Sequence, residues 1–258
     1  MPLPVLTSAY LDAALHAVGV QPGDGLLLHS AMQYLGHPEG GLQMVLDALK
    51  FAIGDQGTIV VPAFNFGFAK GEEYDPYATP SQGMGAFSEF VRQQPKALRT
   101  MHPLQSIAIL GPRATEFAGL DTCSAFDDDS AFDRMLRLGF KLLLLGADIQ
   151  AASIVHYSEQ RASVPYRYWK DITGRVKQSG QWYTRTYRMF VRNMELDPQL
   201  KLAPIQRALE ARDQWHSSPL NFGQVACCTL ADFVAATDVL LAADPWALVA
   251  NKPEKITG

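Results

Sequence analysis

Cysteine is scarce in this chain. Cys227 and Cys228 are adjacent, a spacing that rarely meets disulfide geometry, and Cys123 is left over, so no disulfide framework is expected and a reducing compartment fits. Long apolar runs are also missing. No stretch approaches the ~18–20 residues that cross a bilayer. The opening MPLPVLTSAYLDAAL has neither the basic head nor the small-residue cleavage site of a secretory signal, which makes the cytoplasm the expected location. Nor is there an excess of positive charge: 22 Lys and Arg stand against 26 Asp and Glu, a net charge of -4. That balance gives no electrostatic reason to expect nucleic acid or an anionic membrane as partner, and the ligand should be small. Repeats, low-complexity tracts and clear linkers are lacking, so one domain over residues 1–258 is expected.

What is present suits a globular α/β protein. With 48% hydrophobic and 19% charged residues, 258 residues can bury a sizeable core. Leu11, Leu15 and Val18 lie at helical spacing behind a Thr7/Ser8 cap, with Gly19 as a stop. A short apolar strand follows at 23–30, ending on His29 and Ser30. Leu42, Val45, Leu46, Leu49 and Ile53 then mark a helix that Gly54 ends, and TIVVPAF at 58–64 reads as a second strand. The alternation continues with helices near 86–94 and 131–138 and strands at 106–111 and 141–146. It predicts a layered sheet, largely parallel in its N-terminal part, with helices on both faces. From about 166 the texture becomes antiparallel: Gln178–Gly180 reads as a hairpin turn and 182–191 as a strand, taken as a core layer in preference to a dimer surface. A helix near 204–212, a strand-like piece at 222–229 and a helix at 230–242 complete the reading.

Ligands of α/β sheets gather outside the carboxyl ends of strands. Three such ends carry polar groups: His29 and Ser30, Asn65 with the loop 66–85, and Asp148 through Glu159. In the last, Ser153 to Gln160 reads as the opening of a helix that puts His156 and Glu159 on one face at i, i+3. A neutral imidazole backed by a carboxylate is a suitable general base for an ammonium that must lose its proton before attacking an acyl carbon. The same spacing also serves plain surface ion pairs. His102, fixed before Pro103, is either a loop histidine or a ligand contact. Gly83 and Gly85 ahead of a helix could present N–H groups to a phosphate or carbonyl, or make an ordinary turn. A Cys-His nucleophile is disfavoured by where the cysteines fall, and His216 with Cys227 and Cys228 lacks a fourth zinc ligand at recognised spacing. Asp127, Asp128 and Asp129 suit a solvated loop or helix cap.

Together, LLLHSAMQYLG at 26–36, GDQGTIVVPAFNF at 54–66, the segment 79–111, and DDSAFDRMLRLGFKLLLLG followed by IVHYSEQRASVPYR at 154–167 resemble the aminoglycoside 3-N-acetyltransferase family. The resemblance covers nearly the whole chain. It implies the antibiotic N-acetyltransferase fold and transfer of an acetyl group from acetyl-CoA directly to an amine, with no metal. His156 matches the family's general base and Glu159 the acidic residue after it. Coenzyme contacts are implied for His29, Ser30, Ala31, Gly83, Met84, Gly85, Arg99, His102 and Ser106. Acceptor contacts are expected from Asn65, Glu72, Asp148, Arg161 and Arg167. One departure bears on the substrate: the loop after the second strand is short, with only Glu72, Glu73 and Asp75 as acids, and its form, with HYSEQ and VPYR, resembles family members of amino-sugar or natural-product biosynthesis more than resistance enzymes. It implies an amino sugar, free or nucleotide-linked, as acceptor. A second departure bears on the coenzyme: Ala31 stands where a second serine is common. Aminoglycoside acetylation, a larger acyl donor, and a binding protein without turnover are the alternatives; a homodimer is a further possibility.

Overall fold

The computed structural model describes residues 4–252. In chain order the elements are β1 (Val5–Leu6), α1 (Ser8–Ala17), β2 (Gly25–Ser30), β3 (His37–Pro38), α2 (Gly41–Ile53), β4 (Thr58–Pro62), α3 (Ala86–Arg92), β5 (Leu98–Arg99) and β6 (Ile107–Leu110). They continue with α4 (Ala131–Arg137), β7 (Lys141–Leu145), α5 (Val155–Arg161), β8 (Arg167–Gln178), β9 (Gln181–Arg192), α6 (Ala203–Glu210), β10 (His216–Leu220), β11 (Gly223–Thr229) and α7 (Leu230–Ala243). Side-chain caps fix three helix starts. Thr7 Oγ1 accepts from the Tyr10 amide, Ser130 Oγ from that of Asp133, and Thr229 Oγ1 from that of Asp232.

Seven strands form the main sheet in the order β10-β11-β7-β2-β4-β6-β5. β2 at its centre runs parallel to both β7 and β4, whereas the other four pairings are antiparallel. The series expected to be largely parallel is therefore parallel only in its middle. The reason is β5: the chain leaving α3 forms this two-residue edge strand first and doubles back, so β6 returns antiparallel to β4.

Side chains alternate across the sheet and supply both layers. Leu27, Val60, Ile109, Leu142, Leu144 and Cys228 face Phe132, Phe233 and Leu209 from α4, α7 and α6. Leu26, Leu28, Ile59, Val61, Leu143 and Cys227 face Leu11, Leu15, Leu46, Leu49 and Phe87 from α1, α2 and α3. Helices thus cover both faces, as the apolar strands require.

β8 and β9 pair with each other over twelve residues each, around a turn in which Ser179 and Gly180 have φ of 49° and 78°. Among the described residues they pair with no other named strand, and Val176 makes a single isolated bridge to Tyr74. Positive φ at both positions matches the tight-hairpin geometry that suits twisted strands. The expectation of a core layer is not met. Only Val176 and Tyr187 of this ribbon are buried, against Phe68, Tyr74 and Leu104, while Tyr168, Trp169, Trp182 and Tyr183 stay exposed. A two-stranded ribbon has two faces and a single neighbour, so one face remains in water. Among the described residues no helix is long and apolar enough to cross a membrane.

Candidate active site

A cavity of about 900 Å³ opens where β2, β4 and β7 end. His29 and Ser30 come to it from the end of β2, Phe64 and Phe66 from beyond β4, and Gln150 to Ser153 from beyond β7. Gly83, Met84 and Gly85 close one side, and the ribbon closes another through Tyr168, Lys170, Ile172, Met189 and Val191. Each strand is rigid and buried, so the loops that follow present their groups from a fixed base.

His156 and Arg167 line this cavity, and behind them lies Glu159. One turn of α5 separates His156 from Glu159, and Nδ1 sits 2.5 Å from Oε2. Glu159 is fully buried, and its other neighbour is Arg167, whose Nε lies 3.0 Å from the same oxygen without the angle of a hydrogen bond. Arg167 is anchored by a hydrogen bond to the Phe190 carbonyl at 3.1 Å, and its Nη2 lies 3.3 Å from His156 Nδ1. Burial alone would push the Glu159 carboxyl up. The hydrogen bond and charge of His156, with the charge of Arg167, outweigh it and hold the group below the ordinary carboxylate value, so it is ionised at neutral pH. With Nδ1–H donated to that carboxylate, the Nε2 lone pair is the one left free to accept a proton. The edge of Phe126, 5.8 Å from the imidazole, restricts the ring further.

His29 is a different kind of histidine. Burial first, and the nearby His156 second, hold it at about 4, so it is neutral at pH 7. Its Nε2 lies 3.2 Å from Ser153 Oγ, which ties the end of β2 to the loop before α5. Beside it, Ser30 Oγ is buried with no partner.

The other expected contacts divide by position. Gly83, Met84 and Gly85 line the cavity, and Gly85 (φ 83°) leads into α3 close to the Ser30 carbonyl. Ala31 packs against the core instead. Arg99 is buried away from the wall, donating to Ser106 Oγ at 3.0 Å and to the carbonyls of Thr79 and Ala63, while Ser106 Oγ donates to the Ala63 carbonyl at 2.7 Å. Both therefore pin the loop after β4 onto β5 and the chain entering β6. His102 is also buried, accepting from the Gln105 amide at 3.2 Å and lying edge-on to Tyr187. Asn65 holds its own loop, accepting from the Gly67 amide and donating to the Pro80 carbonyl, both at 2.8 Å. Glu72 is exposed beside Gly67, and Asp148 caps a short turn through the Gln150 amide. Arg161 stacks on Tyr157 and reaches Asp128 at 3.7 Å, also off the wall.

Several wall residues had no readable signal. Gln105, Met189 and Arg192 join the cavity only through the fold. Arg192 alone could have been found, as the strand partner of Arg167 once the hairpin register is set. The cysteines offer no nucleophile at the site: Cys227 and Cys228 lie buried in β11, where burial pushes the Cys227 thiol up to about 12 and that of Cys228 well above its ordinary value.

Residues 27–242 match the family model described as aminoglycoside 3-N-acetyltransferase. Among curated proteins, aminoglycoside N(3)-acetyltransferase III of Salmonella sp is 32% identical over 182 residues, covering 63% of each chain. The match thus spans less than two thirds of that relative. Among solved structures, AAC-IIIb as a binary complex with CoASH superposes with a TM-score of 0.83 at 22% identity, covering 97% of this chain and 100% of the other. AAC-VIa with sisomicin bound gives 0.81 at 25% identity, covering 94% and 99%. With the family model spanning most of the sheet and the whole of the His156 region, the chain belongs to the aminoglycoside 3-N-acetyltransferase family.

Proposed function

We propose that this protein transfers the acetyl group of acetyl-CoA to a primary amine of a small polar acceptor, an amino sugar in free or nucleotide-linked form, with His156 as general base. The observation that carries the reading is the buried, ionised Glu159 fixing His156 at 2.5 Å on the wall of the large cavity, in a chain of this family. Other parts of the same wall suit the coenzyme: Ser30 Oγ has no protein partner, and Gly83 to Gly85 bring bare backbone to the cavity. The thioester would supply an activated acyl carbon. An acceptor that binds as its ammonium first loses one proton to water; His156 Nε2 then removes a proton from the attacking amine, and Glu159 stabilises the imidazolium that results. The amine nitrogen forms the new C–N bond as the C–S bond breaks, and His156 returns its proton to the departing sulfur. Backbone N–H groups near the carbonyl oxygen would offset the charge that develops there. As a proposal, the whole chain forms one domain serving this reaction.

A second reading, acetylation of an aminoglycoside, has its own support in the sisomicin-bound relative. Thiol release from acetyl-CoA across amino sugars, nucleotide amino sugars and kanamycin-type drugs separates the two. The expected result is turnover with amino sugars and a loss of at least ~10²-fold in His156→Ala. Efficient kanamycin acetylation with no amino-sugar turnover would favour the second reading. Full activity in His156→Ala would remove the base assignment.

A further inference from the structure

Charge on the cavity wall is one-sided. Arg167, Lys170 and Arg192 line it, and among the described residues no Asp or Glu does. This is unexpected in a chain of net charge -4, because random placement would put carboxylates there as often as cations. The three cations also differ in what they are free to do. Arg167 is spoken for by Glu159 and the Phe190 carbonyl. Lys170 of β8 and Arg192 of β9 have neither a carboxylate nor a hydrogen-bond partner among the described residues. Elsewhere on the same ribbon the cations are matched: Arg175 to Glu73 at 2.6 Å, Lys177 to Asp75 at 3.0 Å, and Arg188 to Asp171 at 3.4 Å. The unmatched pair is the one that faces the cavity.

Resting on the acetyl-transfer reading, we propose that the acceptor is an amine that also bears an acidic group, a phosphate or carboxylate, and that Lys170 and Arg192 receive that group. A polycation would meet two uncompensated positive charges and, among the described residues of the wall, no carboxylate to bind its ammonium groups, which is repulsion. An acidic group would instead gain charge-assisted hydrogen bonds, bidentate at the guanidinium. The ribbon that carries both cations is held by Val176 and Tyr187 on the body of the protein, so they are presented from a fixed wall. Lys170 and Arg192 lie on the ribbon strands, well separated in sequence from the His29–Ser30 and Gly83–Gly85 segments assigned to the coenzyme.

The test compares glucosamine, glucosamine 6-phosphate, a carboxylated amino sugar and kanamycin as acceptors, in the wild type and in Lys170→Gln/Arg192→Gln. Glucosamine 6-phosphate or the carboxylated sugar should exceed glucosamine in kcat/KM by at least tenfold, about 1.4 kcal/mol. The double variant should bring that ratio near one while leaving the KM for acetyl-CoA within about twofold and the fold intact by circular dichroism. Whichever acidic acceptor keeps the larger ratio identifies the group. Equal rates for charged and uncharged sugars, or preference for kanamycin, would overturn the proposal. So would a loss confined to the KM for acetyl-CoA, since the cations would then hold the coenzyme's phosphates. Calorimetric titration of glucosamine 6-phosphate into the coenzyme A complex reads the same cations without turnover. Binding that the double variant abolishes, with no acetylation of any amine, would sustain the charge assignment and remove acetyl transfer; no binding would remove both.

Discussion

Glu159 shows how a buried charge is made tolerable. Its Oε2 faces His156 and Arg167, while Oε1 and the neighbouring Tyr166 hydroxyl are both buried without a hydrogen-bond partner. Two substitutions at this one spot should therefore behave in opposite ways. Glu159→Gln leaves Arg167 buried against a neutral amide, which should cost roughly 3–5 kcal/mol of stability and lower kcat by removing the partner of the imidazolium. Tyr166→Phe removes a buried hydroxyl that lies near the Glu159 carboxylate without the geometry of a hydrogen bond, so urea unfolding should register a change of no more than about 1 kcal/mol in either direction. A large loss on Tyr166→Phe would mean that its hydroxyl is paired after all. The His156–Glu159 couple was legible because one helical turn joins them. Arg192 was legible only through the hairpin register that pairs it with Arg167, because nothing local in a sequence says which residues of a ribbon meet a cavity whose other walls come from as far along the chain as His29 and Gly83.

At the scale of elements, the strands and helices with strong apolar patterns were readable, and most expected bounds match within a few residues. What stayed hidden has physical reasons. β10 reads HSSPL, a polar edge strand with a proline, and it exists because β11 offers an open edge. The ribbon was misplaced because both its faces are aromatic: Trp169 and Phe190 on one, Tyr168 and Tyr187 on the other. Gly174 shows which face docks. A Cβ there would come within 2.6 Å of the Phe68 ring, and Phe68 in turn lies edge-on to Tyr187. Gly174→Val should push this ring away and loosen the ribbon, at a cost of ~1–3 kcal/mol for overpacking. Hydrogen exchange should speed up in β8 and β9 but not in β2 or β7, and the acceptor KM should rise because the cavity loses a fixed wall. Unchanged exchange in the ribbon would show that Phe68 does not anchor it.

Across the whole molecule, the site is a meeting of three strand ends with a ribbon that belongs to no large sheet, and two neutral histidines lie buried beneath the join. His29 and His102 are each held at about 4 against an ordinary 6.5, burial being the first cause for both. Unfolding restores the ordinary value, so between pH 6.5 and 4 the unfolded chain binds more protons than the folded one. Stability must then rise with pH across that window and fall on acidification. Each histidine contributes on the order of 1.4 kcal/mol per pH unit there. The depressed carboxylates act lower down. Glu89, held at about 2 because bonds from Arg92 and Ser81 outweigh the opposing effect of burial, begins to lose its contribution only as pH falls below its ordinary 4.5, and Asp75 below 3.8. The interval from 6.5 to 4.5 therefore reports the histidines. Urea unfolding at half-unit steps should give a clear slope in this interval. His102→Gln should reduce the slope by about half whatever it does to stability at pH 7, because the substitution removes one titrating group. A flat profile in the wild type, or an unaltered slope in the variant, would mean that these rings already take up protons in the folded state near pH 6.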